Sequence, residues 1–120
     1  MAGFVRSSSN AVNPVSGADL TRMEVLIGPN DGAPNFIMRR FFMEPGGRIA
    51  AHKHPTIEHE QFIIAGQMTL GLDDEVQVAR AGDAVYIPAG VAHWYENRGQ
   101  ETAEFLCLIP KTATYDTEWL

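Results

Sequence analysis

His52, Lys53 and His54 place two imidazoles two positions apart, and in an extended strand, where side chains alternate with period two, both point to the same face. Past a turn opened by Pro55, the stretch EHEQFIIAG puts His59 on one face with Gln61 and Ile63, leaving Glu58 and Glu60 on the other. Downstream, a rigid Pro-x-Gly turn at residues 88–90 delivers His93 to the start of another strand. The chain has four histidines in all, and each falls where it could donate to a common cation. One divalent transition-metal ion held by His52, His54, His59 and His93 is the expected chemistry. Imidazole suits manganese, iron, cobalt, nickel, copper and zinc alike, so the donor set does not name the metal.

The elements that must position these rings read as strands. From Met23 onward the chain shows nine short β-like runs: MEVLI, NFIMRRFFM, GRIAAH, EQFIIA, QMTLGL, EVQVA, AVYI, AHWYEN and AEFLCLI. Gly, Pro, Asn and Asp punctuate them in GPNDGAP, EPGG, RAGD, PAG and NRGQ. No window carries the long 3.6-residue periodicity of an amphipathic helix, so the fold class is all-β, a sandwich or barrel. At 120 residues one domain is expected. Residues 1–22 read as an N-terminal arm, 23–111 as the barrel and 112–120 as a tail whose Trp119 and Leu120 dock on the body or on a partner subunit.

Two spaced patterns sharpen this. Gly46 through His52, His54 and His59 to Gly66, and Gly82 through Pro88, Gly90 and His93 to Asn97, resemble without a gap the two motifs of the cupin family. The resemblance implies a single-domain cupin, a double-stranded β-helix or jelly-roll-like barrel. His59 stands where the family's usual third ligand is Glu, which resembles the four-histidine subgroup of small manganese cupins. That likeness covers residues 26–111, through APNFIMRRFFMEPGG, HKHP, EHE and EFLCLIPK. PTIEHE holds one residue more before His59 than the subgroup pattern. The resemblance implies manganese first, iron second, with nickel or zinc as further occupants.

Composition excludes several partners. The net charge is −6 and no Lys/Arg run offers a face for phosphates, so nucleic acid is not expected. The longest apolar stretches fall far below the ~20 residues of a membrane span. A single cysteine, Cys107, and an N-terminus without an apolar run point to a reducing cytoplasm. The arm could add a strand to a neighbour's barrel edge, and a homodimer is expected.

Alternation nominates a substrate pocket: Arg39 and Phe41 share one face of an early strand, and Phe105 and Cys107 share one face of the late strand. Phe41 and Phe105 fit core packing as well as a pocket wall. Cys107 fits a small buried hydrophobe. Arg39 fits either an inward charge that meets a substrate carboxylate or an edge charge beside Arg40. Tyr95, two residues from His93, fits a proton donor or a hydrogen-bonded core tyrosine, while Glu58, Glu60 and Glu96 fit the rim. Four neutral imidazoles leave a cation's charge uncompensated, favouring anionic or enolisable small-molecule ligands. The leading expectation is an oxygenase-like enzyme that cleaves a C=C or C–C bond at a Mn or Fe centre. The alternatives are a redox-neutral isomerase or ring-opening enzyme acting on a sugar acid, and a non-catalytic small-molecule-binding protein.

Overall fold

The computed structural model describes residues 3–7 and 11–120; residues 1–2 and 8–10 of the expected arm lie outside the described residues. Ten strands follow in order: β1 (Asn13–Pro14), β2 (Ala18–Ile27), β3 (Phe36–Lys53), β4 (His59–Ala65), β5 (Gln67–Leu72), β6 (Glu75–Arg80), β7 (Ala84–Ile87), β8 (His93–Glu96), β9 (Ala103–Pro110) and β10 (Glu118–Trp119). The only helical element among the described residues is a 3-10 turn at Pro29–Asp31. All pairings are antiparallel, along the path β6-β5-β8-β3-β9-β4-β7, with β2 and β10 also laid against β3 and β1 against β2. The sheet rolls into a nearly closed, all-β barrel, the architecture expected from the strand-and-turn pattern. Near the ends of the path, a turn at residues 81–83 ties β6 to β7 and to β4. There Gly82 N–H donates to the Ile63 carbonyl at 2.8 Å, and Ile63 N–H to the Asp83 carbonyl at 3.0 Å.

Two of the expected strands are one. NFIMRRFFM and GRIAAH fuse into the 18-residue β3, which crosses from one half of the barrel to the other. Its first half pairs with β2 and β9, its second with the start of β2 and with β8 and β10. The Gly and Pro of EPGG do not stop the strand because the backbone there keeps its partners. Gly46 N–H donates to the Asn97 carbonyl at 3.0 Å and Asn97 N–H donates to the Gly47 carbonyl at 2.9 Å. Strand β2 begins at Ala18, so it runs across residue 22, where the sequence placed the end of the arm, and Asn13–Pro14 pair with β2 of the same chain.

Buried residues alternate along β4 and β9, and the interior is filled by Phe41, Met43, Ile63, Met68, Leu70, Ile87 and Phe105.

Candidate metal centre

Each imidazole is placed by a different local device. His52 lies directly opposite His93 in the β3–β8 ladder, and a one-residue bulge between Ile49 and His52 turns it inward. His54 follows the end of β3, where its carbonyl accepts from Gly90 N–H at 2.9 Å, tying it to the turn that precedes His93. Asp73 fixes that turn further: its backbone N–H donates to the Ala92 carbonyl at 2.7 Å and its carboxylate accepts from Ala92 N–H at 3.1 Å. His59 opens β4, opposite Ile87 of β7.

The four rings crowd together. Centroids are 4.2 Å apart for His52 and His93, 4.9 Å for His52 and His54, 4.8 Å for His54 and His59, and 5.4 Å for His59 and His93. The ligand nitrogens of His52, His54 and His93 lie within 4.8 Å of one another, a cluster that fits a divalent metal ion. His59 stands beside this trio rather than within it.

The outward nitrogens are already engaged. His52 Nδ1–H donates to the Ala50 carbonyl at 2.7 Å, His93 Nδ1–H to the Val91 carbonyl at 2.9 Å and His54 Nδ1–H to the Asp116 carbonyl at 3.1 Å. That arrangement leaves Nε2 of each ring as the atom free of a proton, the tautomer a metal requires, and that of His54 also lies 3.5 Å from the Tyr115 hydroxyl. For His59 the neighbours of Nδ1 are Cys107 Sγ at 3.3 Å and a terminal nitrogen of Arg39 at 3.5 Å. His59 Nε2 and His93 Nε2 are buried with no hydrogen-bond partner in the protein, a costly state that a cation would relieve. Burial, followed by the Arg39 charge, lowers the His59 pKa to about 2, and burial lowers that of His93 to about 4. Desolvation lowers those of His52 and His54 as well. At neutral pH all four are therefore neutral donors, and the residues present fit a bound divalent cation.

His52, His54 and His59 line a cavity of about 360 Å³. All four nominated pocket residues reach it: Arg39, Phe41, Phe105 and Cys107. Phe41 and Phe105 stack with centroids 5.0 Å apart, while Arg39 donates to Cys107 Sγ at 3.0 Å. Tyr95 is buried in the same wall, its hydroxyl accepting from Gln61 Nε2 at 2.7 Å, and burial pushes its pKa far up. Glu58 and Glu60 are exposed and Glu96 is half-buried, away from the cavity.

Sequence reasoning missed Gln61 as a wall residue, although its alternation with His59 gave the signal. It also missed the role of the tail. Tyr115, Thr117 and Trp119 line the cavity, with the Trp119 ring 5.0 Å from that of His52. Gly17, at φ +71°, makes room for this: a Cβ there would come within 2.0 Å of the Trp119 ring.

Comparison with known proteins agrees with this geometry. Residues 39–109 match the family model described as "Cupin domain". Over 75 residues, 62% of this chain and 49% of the relative, the sequence is 33% identical to "Polyketide synthase CurC" of Streptomyces cyaneus. The chain thus spans about half the length of the curated relatives it matches. Among solved structures, the polyketide cyclase RemF from Streptomyces resistomycificus superposes with a TM-score of 0.88 at 28% identity, covering 100% of this chain and 86% of that one. A cupin 2 domain-containing protein from Halorhodospira halophila gives 0.72 at 30% identity, covering 80% of this chain and 66% of that one. No helix among the described residues is long and apolar enough to cross a membrane.

Proposed function

The chain belongs to the cupin family, and on that premise we propose that it is a metal-dependent enzyme in which His52, His54, His59 and His93 together hold one divalent cation beside a pocket for a small, enolisable carbonyl compound. The observation that carries this reading is the convergence of three neutral imidazoles, with the orphaned Nε2 of His59 alongside, at the wall of a largely apolar cavity. When bound, such a cation supplies Lewis acidity toward oxygen donors, with manganese the first candidate, iron the second, and nickel or zinc next.

The chain's own side chains do the rest. Phe41, Ile49 and Phe105 exclude water and offer flat apolar contact. Tyr95 keeps its proton at any working pH because burial disfavours the phenolate, so it serves as a donor and not as a base. Gln61 orients that hydroxyl through its amide N–H.

A redox-neutral reaction on a poly-β-carbonyl compound, of the ring-closing kind, fits best. The likeness to a polyketide cyclase along the whole chain supports it, as does the thiol of Cys107 beside His59, which an oxidising centre would attack. Oxidative C–C cleavage, the leading expectation from sequence, remains the second reading because the same neutral donors and dry wall serve it. A sugar acid fits less well, because Phe41, Ile49 and Phe105 leave part of the wall without partners for its hydroxyl groups.

Protein loaded with Mn, Fe or Zn and incubated with β-diketones, linear poly-β-carbonyls, flavonols and styrenes, with and without oxygen, tests the reading. Turnover without oxygen supports it. Oxygen uptake moves the assignment to cleavage, and tight binding without conversion by any loaded form makes the protein a binding module.

A further inference from the structure

Arg39 and Arg40 are neighbours on β3 with opposite fates. Arg40, on the outer face, makes ion pairs with Glu104 and Glu24. Arg39 faces inward and is 9% exposed, yet among the described residues no carboxylate lies within ion-pair distance of it. Its acceptors are poor. One terminal nitrogen donates to Cys107 Sγ at 3.0 Å and stands 3.5 Å from His59 Nδ1, the other reaches Met23 Sδ at 4.0 Å, the Tyr115 hydroxyl is a further acceptor within reach, and Nε is buried with no partner. Sulfur is a weak acceptor, and a buried guanidinium left with such partners is costly.

The same guanidinium lines the cavity, 5.1 Å from the Phe41 ring centroid and 5.9 Å from that of Tyr115. Its unsatisfied donors and its charge are thus set between aromatic faces in the space a substrate would fill.

We propose that Arg39 is a specificity-determining residue that binds an anionic oxygen of the substrate, carried on a flat conjugated body such as an aromatic carboxylate or the enolate of an aryl 1,3-diketone. The proposal rests on reading this cavity as the substrate pocket. It does not require the metal, so the two can fail separately. Geometry explains the choice of anion. A guanidinium fork donates to two oxygens side by side, and the stacked pair Phe41 and Phe105 provides an edge against which a planar group lies.

Benzoate, benzamide and the enolate of benzoylacetone are the probes, titrated by calorimetry and ligand-observed NMR into both metal-loaded and metal-stripped protein. Benzoate and benzamide differ in charge at nearly constant shape, and the enolate distinguishes a carboxylate site from a diketone site. The expected result is that wild-type protein in either state prefers an anionic probe over benzamide by about ten-fold or more. Arg39→Gln should abolish that preference while leaving benzamide binding within a few-fold, and Arg39→Lys should retain part of it. Melting temperature and metal stoichiometry of both variants report whether the fold and the histidine site survive. A wild-type preference that appears only with metal present would assign charge recognition to the cation and overturn the proposal, as would an undiminished preference in Arg39→Gln. Failure of wild-type protein to bind any probe would overturn the substrate-pocket reading, and this inference with it.

Discussion

Ile49 and His52 both face the barrel interior although they stand three positions apart on one strand, a spacing that in a regular strand sends two side chains to opposite faces. The ladder to β8 explains it: Ile49 pairs with Tyr95 but His52 with His93, so β3 carries one more residue than β8 across that interval. The bulge lets one strand serve first the apolar core and then the metal centre.

Replacing the His52 ring should unmake the site and spare the barrel. His52→Ala removes one of the three converging donors and leaves the β3 backbone with its bulge in place. Metal stoichiometry measured on chelator-treated and reloaded protein should fall sharply, while the β-sheet circular dichroism persists. Undiminished metal content in this variant would show that His52 is not a ligand.

Acid should destabilise the metal-free protein in a defined window. Above pH 6.5 folded and unfolded chains both carry neutral imidazoles, so stability is at its full value. As the pH falls below 6.5 the unfolded chain takes up protons that the folded chain refuses, and for His93 this continues down to about pH 4. His59, held at about 2, extends the loss further. Each imidazole contributes at most about 1.4 kcal/mol per pH unit. Urea midpoints should drop between pH 7 and pH 5, and a bound cation should steepen the drop, since protons compete with it for the same nitrogens.

The clustering of His52, His54 and His93 was legible in the sequence because period-two alternation and the turn at residues 88–90 act locally: HKH and the Pro-x-Gly-x-x-His spacing need no tertiary information. The inward faces of β4 and β9 were legible for the same reason. The fusion of two expected strands into β3 was not, because the EPGG segment stays in the sheet only through backbone bonds to Asn97, which is some fifty residues away in sequence. Nor was the tail's place at the cavity: nothing in KTATYDTEWL says that an Asp116 carbonyl will meet His54, a contact made only once β10 pairs with β3.

Asn97 should prove a structural keystone with no part in the chemistry. Its side-chain N–H groups donate to the carbonyls of Met43 at 2.9 Å and Glu101 at 2.8 Å, and its Oδ1 accepts from Gly99 N–H at 2.9 Å. Asn97→Ala leaves three backbone groups without their partner, at a cost of about 2 kcal/mol. Chemical denaturation should show that loss, with metal affinity at pH 7 unchanged.

Self-association should use the outer face of β4 and β7. Phe62 and Ile64 on β4 and Tyr86 on β7 are 46%, 40% and 60% exposed there, with Tyr86 opposite Glu60 and so diagonal to Phe62. Light scattering is expected to give a dimer mass, and the double variant Phe62→Lys, Tyr86→Lys a monomer mass. A wild-type monomer at micromolar concentration would refute the dimer.

The tail's contribution to the metal centre can be separated into two parts. Asp116 holds the His54 tautomer through its carbonyl, and Trp119 packs its ring against His52 while Glu118 and Trp119 complete the β3 ladder. Partners that orient a ligand typically contribute 10–100-fold to metal affinity. Ending the chain after Lys111 removes both parts and should weaken metal binding by about that factor, measured by competition with a chromogenic chelator. Trp119→Ala keeps the Asp116 carbonyl and the strand, so its equilibrium affinity should change less than three-fold, whereas the rate at which chelator strips the ion should rise several-fold because the ring no longer covers the cavity. Equal affinities for wild-type and truncated protein would mean that the histidines are held by the barrel alone.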